Sequence, residues 1–235
     1  MSAPMRELPE AHSAKAARML AAAGDLLVGR GVKGFTVADV AARAHVGKGT
    51  VYLYWPTKED LLIGLIGRAF LGLLDELIGR LTDEPDLARP SRFCPAMLQI
   101  VASQPLIAAL QRCDADVLGA LTEHPRSLAL DRALGPVAVL NAVVPIWRRN
   151  GLARRDWDVD DQKFALRALI TGVAFALAGP GSRSDGIDDP FLVLAASVTA
   201  LLGPETATDE QLRSAASEIV EFLRQGQKSA LDIIS

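Results

Sequence analysis

Lys48, Thr50, Tyr52 and Tyr54 fall within seven residues and lie around an apolar Val51. Helical spacing places all four on the side away from Val51. An ammonium, a hydroxyl and two phenols so grouped can donate hydrogen bonds to anionic oxygens and to base edges. Gly49, within the same stretch, lets a backbone approach a partner closely. Lys58 stands at the start of the next helix, where exposed backbone N–H groups also attract a phosphate. A DNA major groove about 12 Å wide admits one helix, and such a helix must expose polar and aromatic groups. Double-stranded DNA is therefore the partner this set suits.

The elements that must position these residues can be read from caps and periodicity. Met19, Leu20, Ala23, Leu26 and Leu27 form one stripe of a helix over 13–30, and Gly31 is placed to stop it. Thr36 and Asp39 have the spacing of a capping box, and Phe35 can staple onto Val40. Val37, Val40, Ala41 and Ala44 then share a face. A turn at 44–47 leads to a short helix, 48–53, with Val51 inward beside Val46. The result is a helix-turn-helix. Thr57 and Asp60 repeat the cap and launch a long helix from Lys58 to about Leu81.

Helix periods continue through the remainder, with no sustained two-residue alternation. Further helices are expected near 91–103, 105–120, 126–149, 159–178, 190–202 and 208–226. Pro136 and Pro145 kink or split the third of these, and loops are expected at 82–90 and 179–190. The fold class is all-α, organised as a disordered tail over 1–12, a DNA-binding domain over 13–58 and a larger helical domain over 59–235.

Composition narrows the alternatives. The chain has 235 residues, half of them apolar, enough for a packed core. Its net charge of −3 conceals an asymmetry: residues 1–60 hold eight Lys/Arg against six acids, and the remainder 17 against 22. A mildly basic head on an acidic body suits a polyanion at one end. Two cysteines, Cys94 and Cys113, make no disulfide framework or metal spacing, and the three histidines are scattered, so no metal or cofactor is expected. The first 20 residues lack the apolar core of a secretory signal, and a cytoplasmic location is expected. The longest apolar stretches, about 14 and 13 residues, are shorter than the roughly 20 of a membrane span. An all-helical enzyme is the rival reading. No glycine-rich phosphate loop, Ser/His/Asp grouping or Glu-x-x-His motif supports it. A scaffold or membrane-surface protein is a second rival, and the basic amphipathic stripe it needs is missing.

The order of residues resembles the tetracycline-repressor (TetR) family of bacterial regulators. The motifs are Thr36-Val37-Ala38-Asp39-Val40-Ala41, Gly49-Thr50-Val51-Tyr52, Tyr54-Trp55 and Thr57-Lys58-Glu59-Asp60-Leu61-Leu62, and the likeness covers about 13–66. It departs at His45, where the family commonly has Gly, and at Gly47, where a Ser or Thr cap is common. The resemblance implies a DNA-binding regulator, most often a repressor, that contacts operator DNA through Thr36, Lys48, Gly49, Thr50, Tyr52, Tyr54 and Lys58. Thr36, Thr50, Tyr52, Tyr54 and Lys58 would hold phosphates, with Lys48 and Gly49 facing base edges. Either tyrosine could instead pack on the first helix.

For the body, the resemblance implies dimerisation and a small-molecule effector. One short recognition helix reads few base pairs, so a two-fold partner is needed. The segments 159–178 and 190–202 are the expected interface. The second is almost wholly apolar, which marks a partner surface or else a buried core helix. Phe93, Met97, Trp147, Phe164 and Phe175 are the candidate effector pocket, with plain core packing as the alternative. Arg148, Arg149, Arg154 and Arg155 read either as a solvated helix end or as an anion site.

Overall fold

The computed structural model describes residues 8–104, 106, 123–178 and 186–234, and these contain helices and no strand. The chain forms two compact units: the described parts of 1–75, 102–133 and 226–235, and those of 76–101 and 134–225. The expected helix at 105–120 lies outside the described residues apart from Leu106, as does Cys113.

In the first unit α1 (Pro9–His12) precedes α2 (Ala14–Arg30), α3 (Val37–Arg43), α4 (Lys48–Tyr54) and the start of α5 (Lys58–Asp83). The sequence reading of 1–12 as a tail is not what residues 8–12 do. Leu8 is fully buried, and Glu10 receives two hydrogen bonds from Arg68, Nε–Oε1 2.5 Å and Nη2–Oε2 2.8 Å. That pair is nearly sealed from solvent, and its partners stand 58 residues apart, so no local pattern announces it. α7 (Pro125–Leu134) belongs to this unit, with α6 (Pro90–Ala102) before it in the chain. Leu130 packs on the core of α2 to α5, and Arg126 reaches Asp60 at 3.5 Å.

The second unit holds most of α6, then α8 (Pro136–Arg149), α9 (Val159–Ala178), α10 (Pro190–Leu202) and most of α11 (Asp209–Ile234). Trp147 is fully buried, edge-on to Phe93 at 5.6 Å, and donates Nε1–H to the Ala88 carbonyl at 2.7 Å. Glu205 caps α6, accepting from Ser91 N at 2.8 Å and Ser91 Oγ at 3.0 Å. The run 125–149 has the length and hydropathy of a membrane span. Gly135 and Pro136 break it into helices of 10 and 14 residues, each short of the roughly 20 a span needs. Pro145 stays within α8.

α11 runs eight residues beyond the expected end at 226. A mid-helix glycine such as Gly226 costs only about 1 kcal/mol, and Gln227, Ala230, Leu231 and Ile234 are buried beyond it. Ile234 sits where Gly67 leaves room, since a Cβ there would meet Ile234 Cγ2 at 2.6 Å. Cutting one partner from a buried ion pair strands the other charge, at about 3–5 kcal/mol. Glu10→Ala is therefore expected to lower unfolding stability by about 3 kcal/mol, measured by urea titration; a loss within experimental error would restore the tail.

Candidate nucleic-acid interface

α2, α3 and α4 pack on one another around a shared core of Met19, Leu27, Val40, Val51 and Leu61, all fully buried. Gly31 ends α2 at φ +69°, ψ 174°, a backbone region that only glycine enters freely. Thr36 then starts α3 with a complete capping box. Its hydroxyl accepts from Asp39 N at 3.3 Å and donates to Asp39 Oδ2 at 2.6 Å, and its own N–H donates to Asp39 Oδ2 at 2.7 Å. These bonds hold the Asp39 carboxyl below its ordinary range.

The turn follows the pattern of a Schellman cap. Val46 N–H reaches the Ala41 carbonyl at 2.9 Å, and His45 N–H the Ala42 carbonyl at 3.2 Å. His45 sits at φ +54°, among the few non-glycine types that tolerate the left-handed region. Arg18 braces this turn from α2, its Nε donating to the Ala44 carbonyl at 3.3 Å. Gly47 caps α4 without a side-chain bond, while Thr50 N–H bonds its carbonyl at 2.9 Å.

Lys48, Gly49 and Tyr52 are exposed, and the Lys48 ammonium lies 5.7 Å from the Tyr52 ring centre. Thr50 is half-buried, and Thr36 is exposed although its hydroxyl is bonded within the cap. Tyr54 packs inward: its ring lies 5.6 Å from that of Trp55, and its hydroxyl pairs with Ser13 Oγ at 2.9 Å. Of the two tyrosines, Tyr54 is the one that packs on the first helix.

Lys58 does not project into solvent as a free phosphate anchor. Its Nζ donates to the Val32 and Phe35 carbonyls, each at 2.5 Å, and lies 4.4 Å from the Phe35 ring centre. Burial lowers its pKa, against the opposing pull of Glu59 and Asp39. The side chain thus ties the connector between α2 and α3 to the start of α5. Thr57 and Asp60 supply the expected second cap, with Thr57 Oγ1–Asp60 Oδ2 at 2.7 Å and Asp60 N–Thr57 Oγ1 at 3.0 Å.

Two residues absent from the sequence-based set bear on this surface. Arg18 braces the turn through a partner 26 positions away, beyond any local signal. Leu53 is 84% exposed on α4, and its place on the helical wheel opposite Val51 was the available signal.

Of the candidate effector residues, Phe93 and Trp147 meet edge-on. Phe93 and Trp147 are core, and Met97 is half-buried on α6. Phe164 and Phe175 are 63% and 81% exposed on α9. Phe164 lines a shallow depression of 150 Å³ with Leu140, Lys163 and Arg167. The other four candidates line neither that depression nor the open one of 540 Å³ between α8 and α11. The arginine cluster is internal bracing: Arg148 donates to the Trp157 and Arg155 carbonyls, Arg155 to those of Arg148 and Arg149, and Arg154 pairs with Asp156.

Lys58→Met removes a charged donor from two carbonyls, an interaction of about 1.5–3 kcal/mol. A loss of about 2 kcal/mol in unfolding free energy is expected; unchanged thermal and urea midpoints would show the bonds to be dispensable.

Residues 19–65 match the family model described as bacterial regulatory proteins, tetR family. No curated protein matches the chain. Similar folds occur in solved structures. NalD of Pseudomonas aeruginosa, described as the secondary repressor of a multidrug efflux pump, aligns at TM-score 0.56 and 19% identity, over 85% of this chain and 99% of that one. RolR in complex with resorcinol aligns at 0.51 and 21%, over 89% and 96%. A structure described as the molecular basis for control of antibiotic production by bacterial hormones aligns at 0.51 and 25%, over 79% and 96%. The helix-turn-helix unit over residues 19–65 is thus that of the tetR family of bacterial regulatory proteins, and the likeness of the rest of the chain is one of fold.

Proposed function

We propose that the chain is a homodimeric transcriptional repressor that leaves its operator when a small effector binds the body. The observation that carries the DNA-binding part is the outward face of α4. Lys48, Gly49 and Tyr52 are open to solvent there, while buried Val51 fixes the helix to its scaffold. Thr36 and Thr50 flank that face and suit phosphate contacts; Tyr54 and Lys58 serve it by positioning.

The dimer reading rests on α9 and α10. α10 buries only Leu194, Val198 and Leu202, a single stripe at every fourth residue. Leu192 and Val193 remain 68% and 49% exposed on it, and Phe164 and Phe175 add exposed aromatic area on the adjoining α9. Apolar surface of this extent on packed neighbouring helices marks a self-complementary interface. Phe164 and Phe175 thereby pass from the effector set to the interface. That a related fold holds resorcinol supports a small-molecule effector, and that another is a described repressor supports repression.

Selection of bound sites from random duplex DNA, followed by fluorescence anisotropy across a salt series, tests the reading. Affinity for the selected site is expected to fall about 10³-fold or more between 50 and 200 mM salt, as released counterions compete. Lys48→Met should weaken that site by about 1–3 kcal/mol, whereas Lys58→Met should leave the salt slope unchanged. Absence of any selected sequence would refute the DNA-binding reading. Phe175→Glu with Leu192→Glu should give a folded monomer in sedimentation with greatly reduced operator affinity; a persisting dimer would move the interface elsewhere.

A further inference from the structure

The most outward side chain of α4 is apolar. Val51 is fully buried and so sets the rotation of the helix. Gly49 and Leu53 stand two residues to either side of it, about 200° around the helical axis, and therefore face directly away from the scaffold. Lys48 and Tyr52 occupy one flank of that outer ridge, and half-buried Thr50 and Tyr54 the other. Leu53 is 84% exposed, twice the 41% of Tyr52. A Cβ built on Gly49 would meet nothing within 4 Å, so the ridge is lowest one turn before Leu53. A duplex can approach there without obstruction.

An isobutyl group has no donor or acceptor and cannot read the hydrogen-bond pattern of a base edge. The apolar group that base edges present in the major groove is the 5-methyl of thymine. We propose that Leu53 is a specificity-determining residue that rests on the 5-methyl group of a thymine, fixing one T·A pair in each operator half-site. This rests on the DNA-binding reading above. Lys48 and Tyr52, on the neighbouring flank, supply the polar contacts that hold the helix in register beside that pair. At 84% exposure the leucine has little internal packing for its removal to disturb.

Replacing thymine by deoxyuridine deletes the methyl group and leaves every hydrogen-bonding atom in place. The full-length protein is titrated against its selected operator, with each thymine of one half-site and its symmetry mate changed in turn to deoxyuridine. One position is expected to weaken wild-type binding about fourfold per methyl group lost. Leu53→Ala should bind the unmodified operator more weakly by a similar factor and lose its sensitivity at that position alone, a coupling that a double-mutant cycle reads directly. Helical content and thermal midpoint of Leu53→Ala should match the wild type, because the side chain is exposed. Specific binding in which no deoxyuridine position matters overturns the thymine contact while leaving DNA binding intact. Sensitivity that persists in Leu53→Ala assigns the methyl contact to another residue and overturns it too. Failure to select any sequence removes both readings.

Discussion

A seven-residue helix has almost no stability of its own in water, because nucleation consumes most of what so few hydrogen bonds return. α4 therefore exists as a helix only because something outside it holds it, and that constraint organises the whole N-terminal unit. Val51, its one buried residue, contributes about 1.5–3 kcal/mol by leaving water. The Schellman bonds at His45 and Val46, the Arg18 brace on Ala44 and the Tyr54–Ser13 hydrogen bond fix where α4 begins and ends. With one side committed to the scaffold, the other is left for a partner. The division of labour within α4 follows from its shortness.

The same logic reassigns the cations. A lysine near a DNA-facing surface looks like a phosphate anchor, yet the Lys58 ammonium is satisfied by two carbonyls and an aromatic face. Moving it to a phosphate would leave the Val32 and Phe35 carbonyls without that partner, at a cost comparable to the stabilisation a phosphate would provide. Its charge still adds to the local field, but its geometry belongs to the connector. Arg148 and Arg155 behave alike, directing donors to the carbonyls of the 148–157 segment. In both places a positive charge satisfies carbonyls of a connector between helices.

What the sequence made legible was local. The boxes at Thr36–Asp39 and Thr57–Asp60, the stop at Gly31 and the inward Val51 all have their partners within a few residues, and each appears where spacing puts it. What stayed hidden was long-range. Lys58 meets carbonyls 23 and 26 positions away, Arg68 meets Glu10 across 58, and Ile234 meets the space over Gly67 from the far end of the chain. Periodicity also says which residues share a face without saying what covers it. For that reason Phe93 and Phe164, alike as aromatics on apolar faces, part company as core and surface. Leu53 escaped for a different reason: an apolar residue between two tyrosines reads as packing, although the inward Val51 already placed it outward.

The two compact units do not divide at a single point of the chain. The sequence places a boundary after Lys58. Instead the chain passes between the two units within α5, near 75–76, and again within α11, near 225–226, both inside unbroken helices. Two further passages fall near the ends of helices, at 101–102 in α6 and at 133–134 in α7. α7 is held to the first unit through Leu130 and the Arg126–Asp60 contact at the base of α5. A proposed effector can alter operator affinity only by favouring one of two arrangements over the other. Within the first unit α5 and α11 meet at Asp75–Gln227 and at Gly67–Ile234.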